Sequence, residues 1–368
     1  MAKKKAPPAA SNSTGSDSLD KFIGDTASAD TAPSVKALQA EVRDLKRKLA
    51  MNKSGAAVLV AAVQDVFADD PPSYDVPDPP PRKPGAPEEI AVLHLSDLQI
   101  GKTTATYDSA IAHKRLQIVG QKAVEIIGLR QKNANIKELH LLSGGDIIEG
   151  ERIFPTQAHE IDQSLIRQAC FAAPAAIIAV MRALMPMVET IHFHGVRGNH
   201  GRDDHGGAVE TNWDTVVNIV TQQMGAPFGK RVTWDIAVED WKCSFNTYGW
   251  RHLLCHGHQI RGMLGFPWYG FGKKVGGWYQ TVEPFDYVWT GHFHTSAMFD
   301  INRITVLSNG TTESDNQYAL ESLAAGGSPK QRLAFFNKDY GLISDNQLFL
   351  DKRVPARYSF SGAPTRRG

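Results

Sequence analysis

The chain has 368 residues, of which 42% are hydrophobic and 21% charged, as in a globular protein with one large core or two. Its formal net charge of +1 excludes a global basic field, so any contact with nucleic acid must come from a local patch. The three cysteines lack CxxC spacing and favour a reducing interior, so we expect a cytoplasmic protein. No apolar run approaches the roughly 20 residues that span a bilayer, and no apolar segment follows the basic first residues. We therefore expect neither a membrane span nor a secretory signal.

The first 88 residues differ in composition from the rest of the chain. Residues 1–33 are rich in Ala, Ser, Thr, Asp and Pro, which predicts disorder. Residues 34–67 carry apolar positions at spacings of three and four, which predicts an amphipathic helix or a short coiled coil. Such a segment serves dimerisation or partner docking, or it folds onto the body as a solitary helix. Residues 68–88 predict a stiff, Pro-rich linker.

From residue 89 to residue 312, predicted strands and helices alternate. The predicted strands are Ile90–Ser96, Glu138–Ser143, Thr190–His194 and residues 231–237, 251–256, 286–290, 296–300 and 303–308. The predicted helices are Ser109–Gln131, residues 159–187 with a break at Pro174, and residues 208–224. Residues 313–368 are predicted to form a C-terminal extension with one strand at Leu348–Leu350. This alternation predicts an α/β fold, in which ligands bind at the carboxyl ends of strands.

Five short polar motifs follow predicted strands. They are Asp97-Leu98-Gln99, Gly145-Asp146, Gly198-Asn199-His200, His256-Gly257-His258 and Gly291-His292-Phe293-His294. One histidine after a strand is more often structural than a ligand, but five such motifs in this arrangement are not expected by chance. The carboxylates, imidazoles and amide oxygens that they supply suit Mn²⁺, Fe or Zn²⁺ better than Ca²⁺. Two such metals roughly 3.5–4 Å apart can clamp a phosphate group. His200 is then free to protonate a leaving oxygen or to stabilise charge.

The order of these motifs resembles the calcineurin-like metallophosphoesterase superfamily, whose signature is D-x-H, G-D, G-N-H-D/E, H and G-H-x-H. The resemblance covers roughly residues 90–312 and implies a four-layer α/β/β/α sandwich after the N-terminal extension. It implies two divalent metals, most often Mn²⁺ but also Fe, Zn²⁺ or Mg²⁺, and His200 as proton donor. The implied ligands are Asp97, Gln99, Asp146 and His294 for the first metal, and Asp146, Asn199, His256 and His292 for the second. Within the superfamily, the chain is most similar to DNA double-strand-break repair exonucleases and their bacteriophage relatives, which implies a bacterial or phage-infected cytoplasm.

Two positions depart from that signature. Gln99 replaces a histidine, and an amide oxygen is a weaker and harder ligand, so the first site should bind metal less tightly or prefer Mn²⁺ or Mg²⁺ over Zn²⁺. Gly201 replaces the acidic residue that orients the histidine in protein serine/threonine phosphatases, which argues against that branch.

The segment Gln259–Gln280 interleaves cations, aromatic residues and glycines directly after the His256 motif. Cations contact phosphates and aromatic faces stack on exposed bases, so this predicted loop favours a nucleic-acid substrate. The predicted substrate-binding residues are Arg197, Arg202, Arg261, Lys273 and Lys274. The structural alternative is that the aromatic side chains pack the core and the loop is only a rigid lid.

Three functions follow from these patterns. The first is a metal-dependent phosphodiesterase or nuclease that acts on DNA, and the aromatic-basic segment favours it. The second is a phosphoesterase for a small molecule such as a nucleotide. The third is a catalytically weak binding or scaffold protein, which Gln99 and the N-terminal heptads would suit. The completeness of the ligand set argues against the third.

Overall fold

The computed structural model describes residues 60–65, 72–155, 157–202, 211–261, 266–314 and 328–352. The predicted disorder of residues 1–33 and most of the predicted helix at 34–67 lie outside the described residues, and dimerisation through that helix stays a prediction. Residues 60–65 are helical, and Val60 and Val63 pack against the main hydrophobic core. In the Pro-rich segment, the ring of Tyr74 stacks on Phe228 with centroids 5.2 Å apart.

The described strands form two sheets. The strands are β1 (Glu88–Leu95), β2 (Asn135–Ser143), β3 (Thr190–Gly195), β4 (Val232–Ile236), β5 (Lys242–Thr247), β6 (Trp250–Cys255), β7 (Tyr287–Thr290), β8 (Ala297–Ile301), β9 (Ile304–Ser308), β10 (Lys330–Asn337) and β11 (Gly341–Phe349). The first sheet has the order β11-β10-β1-β2-β3-β4, and the second has the order β5-β6-β7-β9-β8. In the first sheet β1 to β4 run parallel, and in the second β6, β7 and β9 run parallel.

The longer helices are α1 (Ser109–Arg130), α2 (Ala173–Leu184), α3 (Trp213–Met224) and α4 (Trp268–Thr281). Helix α1 begins where the Asp108 carboxylate accepts a hydrogen bond from the amide of Ile111, as an N-cap residue does. A π-helical turn, Gln168–Ala172, leads directly into α2. The predicted helix break at Pro174 is therefore wrong. Pro174 lies in the first turn of α2, directly after the π-helical turn, so the helix passes through the proline with a local change in its hydrogen bonding.

The hydrophobic contacts show four layers. One cluster joins α1, α2 and α3 to the outer face of the first sheet, through residues such as Leu116, Ile177 and Leu139. A second cluster lies between the sheets and joins Leu142 of β2 to Trp289 of β7. A third joins the outer face of the second sheet to α4. The order is helices, sheet, sheet, helix, which confirms the predicted α/β/β/α sandwich.

The first sheet continues beyond residue 312, where the sequence placed the end of its main domain. Strand β10 pairs antiparallel with β1, with Ile90 opposite Phe336, and β11 pairs with β10. The sequence predicted only the strand at Leu348–Leu350 in this segment. Strands β10 and β5 were missed by the sequence reasoning.

The predicted loop at Gln259–Gln280 is wrong for its second half, which forms α4. The apolar side chains of Phe271, Val275 and Trp278 recur at helical spacing and are buried against the second sheet. Each glycine in a helix costs about 1 kcal/mol relative to alanine, and burial of this stripe outweighs that cost.

The expectation that no apolar run approaches membrane-spanning length is also wrong. Among the described residues, the helical stretch Leu165–Met187 is long and apolar enough to cross a membrane, with 23 residues. Its apolar positions, including Ile177 and Met181, pack in the cluster beneath the first sheet, as those of a core helix do.

Candidate metal centre

Five loops bring the predicted ligands to the same end of the two sheets. The loop after β1 carries Asp97 and Gln99, the loop after β2 carries Asp146, the loop after β3 carries Asn199 and His200, the loop after β6 carries His256, and the loop after β7 carries His292 and His294. We call these eight side chains the metal centre. The parallel strands β1, β2 and β3 end side by side, and so do β6 and β7, which is why the topology gathers the loops.

The backbone at the centre is held in an unusual conformation. Five of the eight residues, Asp97, Gln99, Asp146, His292 and His294, have φ angles between 43° and 70°. Side chains other than glycine rarely adopt this left-handed region, and each such residue costs on the order of 1–3 kcal/mol. Strain of this kind persists only where surrounding contacts fix it, and it concentrates at functional sites.

Asp146 lies in the middle of the centre. Its Oδ1 accepts hydrogen bonds from the amides of Asn199 at 2.7 Å and His200 at 2.8 Å, so Oδ1 is fixed. Its Oδ2 lies 2.9 Å from Nε2 of His256 and 3.9 Å from Nε2 of His200. Burial alone would raise the pKa of Asp146, but the charges of His256 and His200 hold that pKa well below its usual value. The carboxylate is therefore ionised, as a bridging ligand must be.

His256 is oriented by the backbone. Its Nδ1 lies 2.8 Å from the carbonyl oxygen of Gly144, so Nδ1 donates and Nε2 faces Asp146. Burial lowers the pKa of His256, but the Asp146 charge outweighs it and raises that pKa to about 9. Ligand atoms of Asp146, His256 and His292 lie within 4.8 Å of one another. These three side chains are the ones that the resemblance assigns to the second metal, together with Asn199.

The remaining predicted ligands lie beside this group. The backbone amide of His292 donates to Oδ1 of Asp97 at 2.9 Å. Nε2 of His294 lies 3.4 Å from the same Oδ1 and 3.3 Å from Nε2 of Gln99. The Gln99 side chain thus contacts His294, its predicted partner at the first metal, and it lies 3.5 Å from His200.

Several buried atoms of the centre that could bind a metal have no hydrogen-bond partner among the described residues. They are Gln99 Oε1, Asp146 Oδ2, Asn199 Oδ1 and His256 Nε2. The 2.9 Å contact between Asp146 and His256 lacks hydrogen-bond geometry, so both atoms are available to a third partner. Buried polar atoms are nearly always paired, and these four are the atoms with which carboxylate, amide and imidazole groups bind metals. The residues therefore fit a divalent metal site.

The structure adds two carboxylates that sequence reasoning missed. Oε2 of Glu149 lies 3.1 Å from Nδ1 of His200, and Oε2 of Glu313 lies 3.4 Å from Nδ1 of His294. The ammonium group of Lys102 lies 3.7 Å from Glu149 and 3.3 Å from Glu313, and all three side chains are buried. The only sequence signal for these contacts was the position of Glu149, three residues after Asp146. Glu149 therefore places an acidic side chain beside His200.

A further missed residue, Asp214 of α3, supports the loops from below. Its carboxylate accepts hydrogen bonds from the amides of Asp146 at 2.8 Å, Ile147 at 3.0 Å and Gly198 at 2.8 Å. Burial and the nearby Asp146 charge raise the pKa of Asp214 to about 6. Gly198 is required in this arrangement, because a side chain there would collide with the Asp146 carboxylate.

Of the predicted substrate-binding residues, Arg202 lies nearest to the centre, with its Nε donating to the carbonyl oxygen of Asn199 at 3.0 Å. Arg197 is half-buried and donates from Nη1 to the backbone oxygen of Asp240. Arg261 is exposed beyond the His256 loop. Lys273 and Lys274 lie on the exposed face of α4, on the outer side of the second sheet.

No family model matches the chain, and no curated protein matches it. Several solved structures are similar to it at low sequence identity. Vps29 from Cryptosporidium parvum is 13% identical, with a TM-score of 0.36, and the match covers 71% of this chain and 96% of that one. A novel archaeal phosphodiesterase is 10% identical, with a TM-score of 0.34 and coverages of 70% and 99%.

Vps29 from Entamoeba histolytica complexed with Zn²⁺ is 11% identical, with a TM-score of 0.31 and coverages of 71% and 99%. All three TM-scores are below 0.5, so the assignment of the fold rests on the four layers themselves. The resemblance to DNA-repair nucleases stays a prediction.

Proposed function

We propose that this chain hydrolyses phosphodiesters with two divalent metals, and that DNA is its substrate class. The observation that carries the proposal is the convergence of buried metal-ligating atoms without hydrogen-bond partners, from Gln99, Asp146, Asn199 and His256, beside His200, whose Nδ1 lies 3.1 Å from Glu149. Structural packing gives no reason to bury these atoms without partners, whereas metal binding does.

The proposed roles of the residues are those that the resemblance implies. Asp97, Gln99, Asp146 and His294 would hold one metal, and Asp146, Asn199, His256 and His292 would hold the other. When bound, a metal pair supplies Lewis acidity that offsets phosphate charge and activates water near neutral pH. Asp146, whose Oδ1 is held by two backbone amides, would be a ligand of both metals.

His200 is the proposed proton donor. Burial lowers its pKa, but the charges of Glu149 and Asp146 outweigh it and raise the pKa of His200 to about 9. Nδ1 of His200 lies 3.1 Å from Glu149, and its Nε2 lies 3.9 Å from Oδ2 of Asp146 and 3.5 Å from Nε2 of Gln99. A proton on Nε2 would therefore lie beside the proposed metal ligands, where a positioned acid can protonate a leaving oxygen.

Two features support DNA as the substrate class. Arg202 is anchored against the backbone of Asn199, so a cation lies at the rim of the centre. Trp268 and Tyr269 at the start of α4 are 56% and 89% exposed, so they can stack on unpaired bases. Lys273 and Lys274 lie on the exposed face of the same helix and can contact phosphates.

A small-molecule phosphodiester is the second candidate. It is favoured by the burial of Phe271 and Trp278, two of the aromatic residues that indicated nucleic acid, against the second sheet. The net charge of +1 provides no long-range electrostatic attraction to DNA.

The test is a comparison of substrates with the full chain and Mn²⁺. We expect hydrolysis of a generic phosphodiester, faster cleavage of labelled single-stranded or double-stranded DNA, and little hydrolysis of a phosphomonoester. His200→Ala should lower the rate about 10²–10⁴-fold, because a positioned proton donor contributes that much. The control, His113→Ala, changes a histidine of α1 whose Nδ1 lies 2.8 Å from the Ser109 carbonyl oxygen and which is not part of the metal centre, so it should leave the rate unchanged.

Three outcomes would redirect the proposal. Unchanged activity in His200→Ala would contradict the two-metal reading. Cleavage of the generic diester but not of DNA would favour the small-molecule candidate. Metal binding without any hydrolysis would favour a binding or scaffold protein.

A further inference from the structure

A second group of metal-ligating side chains lies on the first sheet, away from the metal centre. Glu138 and His140 of β2 and His192 of β3 each present a ligand atom, and these atoms lie within 4.8 Å of one another. The register pairs His140 with His192, so the two rings are neighbours on the inner face, with centroids 4.8 Å apart. We call these three side chains the β2–β3 cluster.

The free nitrogen of His140 is the observation that points to a ligand. Its Nε2 is buried and has no hydrogen-bond partner among the described residues. The other ring nitrogen, Nδ1, lies 3.0 Å from Nε2 of His194, whose own Nδ1 lies 3.0 Å from a carboxylate oxygen of Asp235.

This chain of contacts fixes the tautomers. The Asp235 carboxylate only accepts, so His194 donates from Nδ1 and its Nε2 accepts from Nδ1 of His140. His140 is then left with a lone pair on Nε2. Burial holds the pKa of His140 well below its usual range, which keeps the ring neutral. A metal-ligating histidine usually donates its second ring N–H to a fixed acceptor, and here that acceptor is Nε2 of His194, which Asp235 orients in turn.

Side-chain contacts also hold the other two members of the cluster, His192 and Glu138. Nδ1 of His192 lies 2.8 Å from Oγ1 of Thr233, which leaves Nε2 toward Oε2 of Glu138, 3.6 Å away. The contact with His192 lowers the pKa of Glu138, so its carboxylate is charged. Phe245 of β5 stacks on the His140 ring at 4.9 Å and holds it in place.

We propose that the β2–β3 cluster binds one divalent transition metal of the Zn²⁺ class, through Nε2 of His140, Nε2 of His192 and the Glu138 carboxylate. Two imidazoles and one carboxylate are a common zinc ligand set, and three protein ligands leave one position to water. Glu138 and His192 are partly exposed, so an ion can enter from solvent.

This site is separate from the metal centre. Glu138 lies five residues before Ser143, where β2 ends. At about 3.3 Å per residue, Glu138 is roughly 16 Å and His140 roughly 10 Å from the strand end that leads to Asp146. The cluster and the centre can therefore be loaded and tested independently.

The test is a count of bound zinc after equilibrium dialysis of the full chain, with elemental analysis. We expect Glu138→Gln and His192→Ala to hold one equivalent fewer than the wild type. Asp235→Asn and Thr233→Val change only the contacts that support the ligands. These variants should weaken zinc binding at the β2–β3 cluster about 10–100-fold. Asp146→Ala damages the metal centre, but it should keep the zinc ion that is bound at the β2–β3 cluster.

The control is His159→Ala, which changes an exposed histidine that belongs to neither site. An anomalous-diffraction peak at the zinc edge between His140 and His192 would locate the ion directly. Equal zinc content and affinity in the wild type, Glu138→Gln and His192→Ala would overturn the proposal. So would an equal loss of zinc in His159→Ala, because that result would indicate surface histidines in general. Circular dichroism of each variant separates loss of metal from loss of fold.

Discussion

The metal centre and the β2–β3 cluster use the same side-chain types in opposite structural settings. At the centre the ligands lie on loops after the strands, and residues such as Asp146 adopt left-handed backbone angles. In the cluster, His140 and His192 lie within β2 and β3. A loop can aim several side chains at one point at the cost of strain, whereas strands offer only the positions that their register brings together.

The two regions also differ in electrostatics. At the centre, His200 and His256 face ionised carboxylates, and their pKa values rise to about 9. In and around the cluster, burial dominates and holds the pKa values of His140 and His194 below their usual value. The carboxylates that face each histidine, rather than burial alone, decide the direction of its pKa shift, because His140 and His256 are both buried.

The largest expected effect separates the two regions outright. Asp146→Ala removes the carboxylate shared by both proposed metals, so phosphodiester hydrolysis should become undetectable and bound Mn²⁺ should fall. Glu138→Gln, in the cluster, should leave hydrolysis unchanged. Rate measurements with a generic phosphodiester check both variants. Comparable rates in Asp146→Ala and the wild type would remove the metal centre from the mechanism.

A smaller effect tests whether Glu149 positions His200. Glu149→Gln keeps the size of the side chain but removes the charge beside Nδ1, so kcat should fall about 10–100-fold with little change in KM. Glu160→Gln changes an exposed carboxylate of the same segment and serves as control. A change confined to KM would show that Glu149 acts on substrate binding instead.

The histidines between the sheets predict a dependence of stability on pH. His252 of β6 is buried next to Trp289 and stacks on Phe245, and burial lowers its pKa to about 3. In the unfolded chain the same histidine is protonated below about pH 6.5, so the stability it contributes is lost as the pH falls from 6.5 toward 3. The free energy of unfolding should be about 2 kcal/mol lower at pH 5 than at pH 8 from this residue alone.

Urea titrations at both pH values check this prediction, with His252→Gln as the comparison. Glutamine keeps hydrogen-bonding capacity toward Thr247 and Trp289 but does not titrate. The variant should therefore show a shallower loss of stability on acidification. An equal slope in both proteins would mean that His252 does not carry the effect.

The smallest expected effect concerns metal preference. Gln99→His replaces an amide oxygen with an imidazole beside His294, so the centre should retain Zn²⁺ better and lose its preference for Mn²⁺ by a few-fold. Competitive metal titration followed by hydrolysis assays measures this change. Identical affinities would show that Gln99 is not a ligand.

The convergence of the candidate ligands was predictable from the sequence because each follows a strand in a short motif. Asp97, Asp146, His256 and His292 are polar residues at the ends of apolar runs, and those runs form β1, β2, β6 and β7. The four-layer order was implied by the same motifs. Local sequence was enough here because strand ends and loops are local features.

Contacts between distant segments were not predictable. Glu149 and Glu313 reach the centre from residues that carry no motif, and β10 inserts beside β1 from the far end of the chain. Helix α4 was not predicted because its glycines have weak helix propensity. Burial against the second sheet outweighs that propensity, and this burial is not visible in the local sequence.

The sequence by itself determined which side chains could bind metal and in which order the strands would present them. The tertiary structure decided which of those side chains face one another. His140 and His192 are 52 residues apart, and only the register between β2 and β3 makes them neighbours. Register depends on packing across the whole sheet, so no short stretch of sequence contains it.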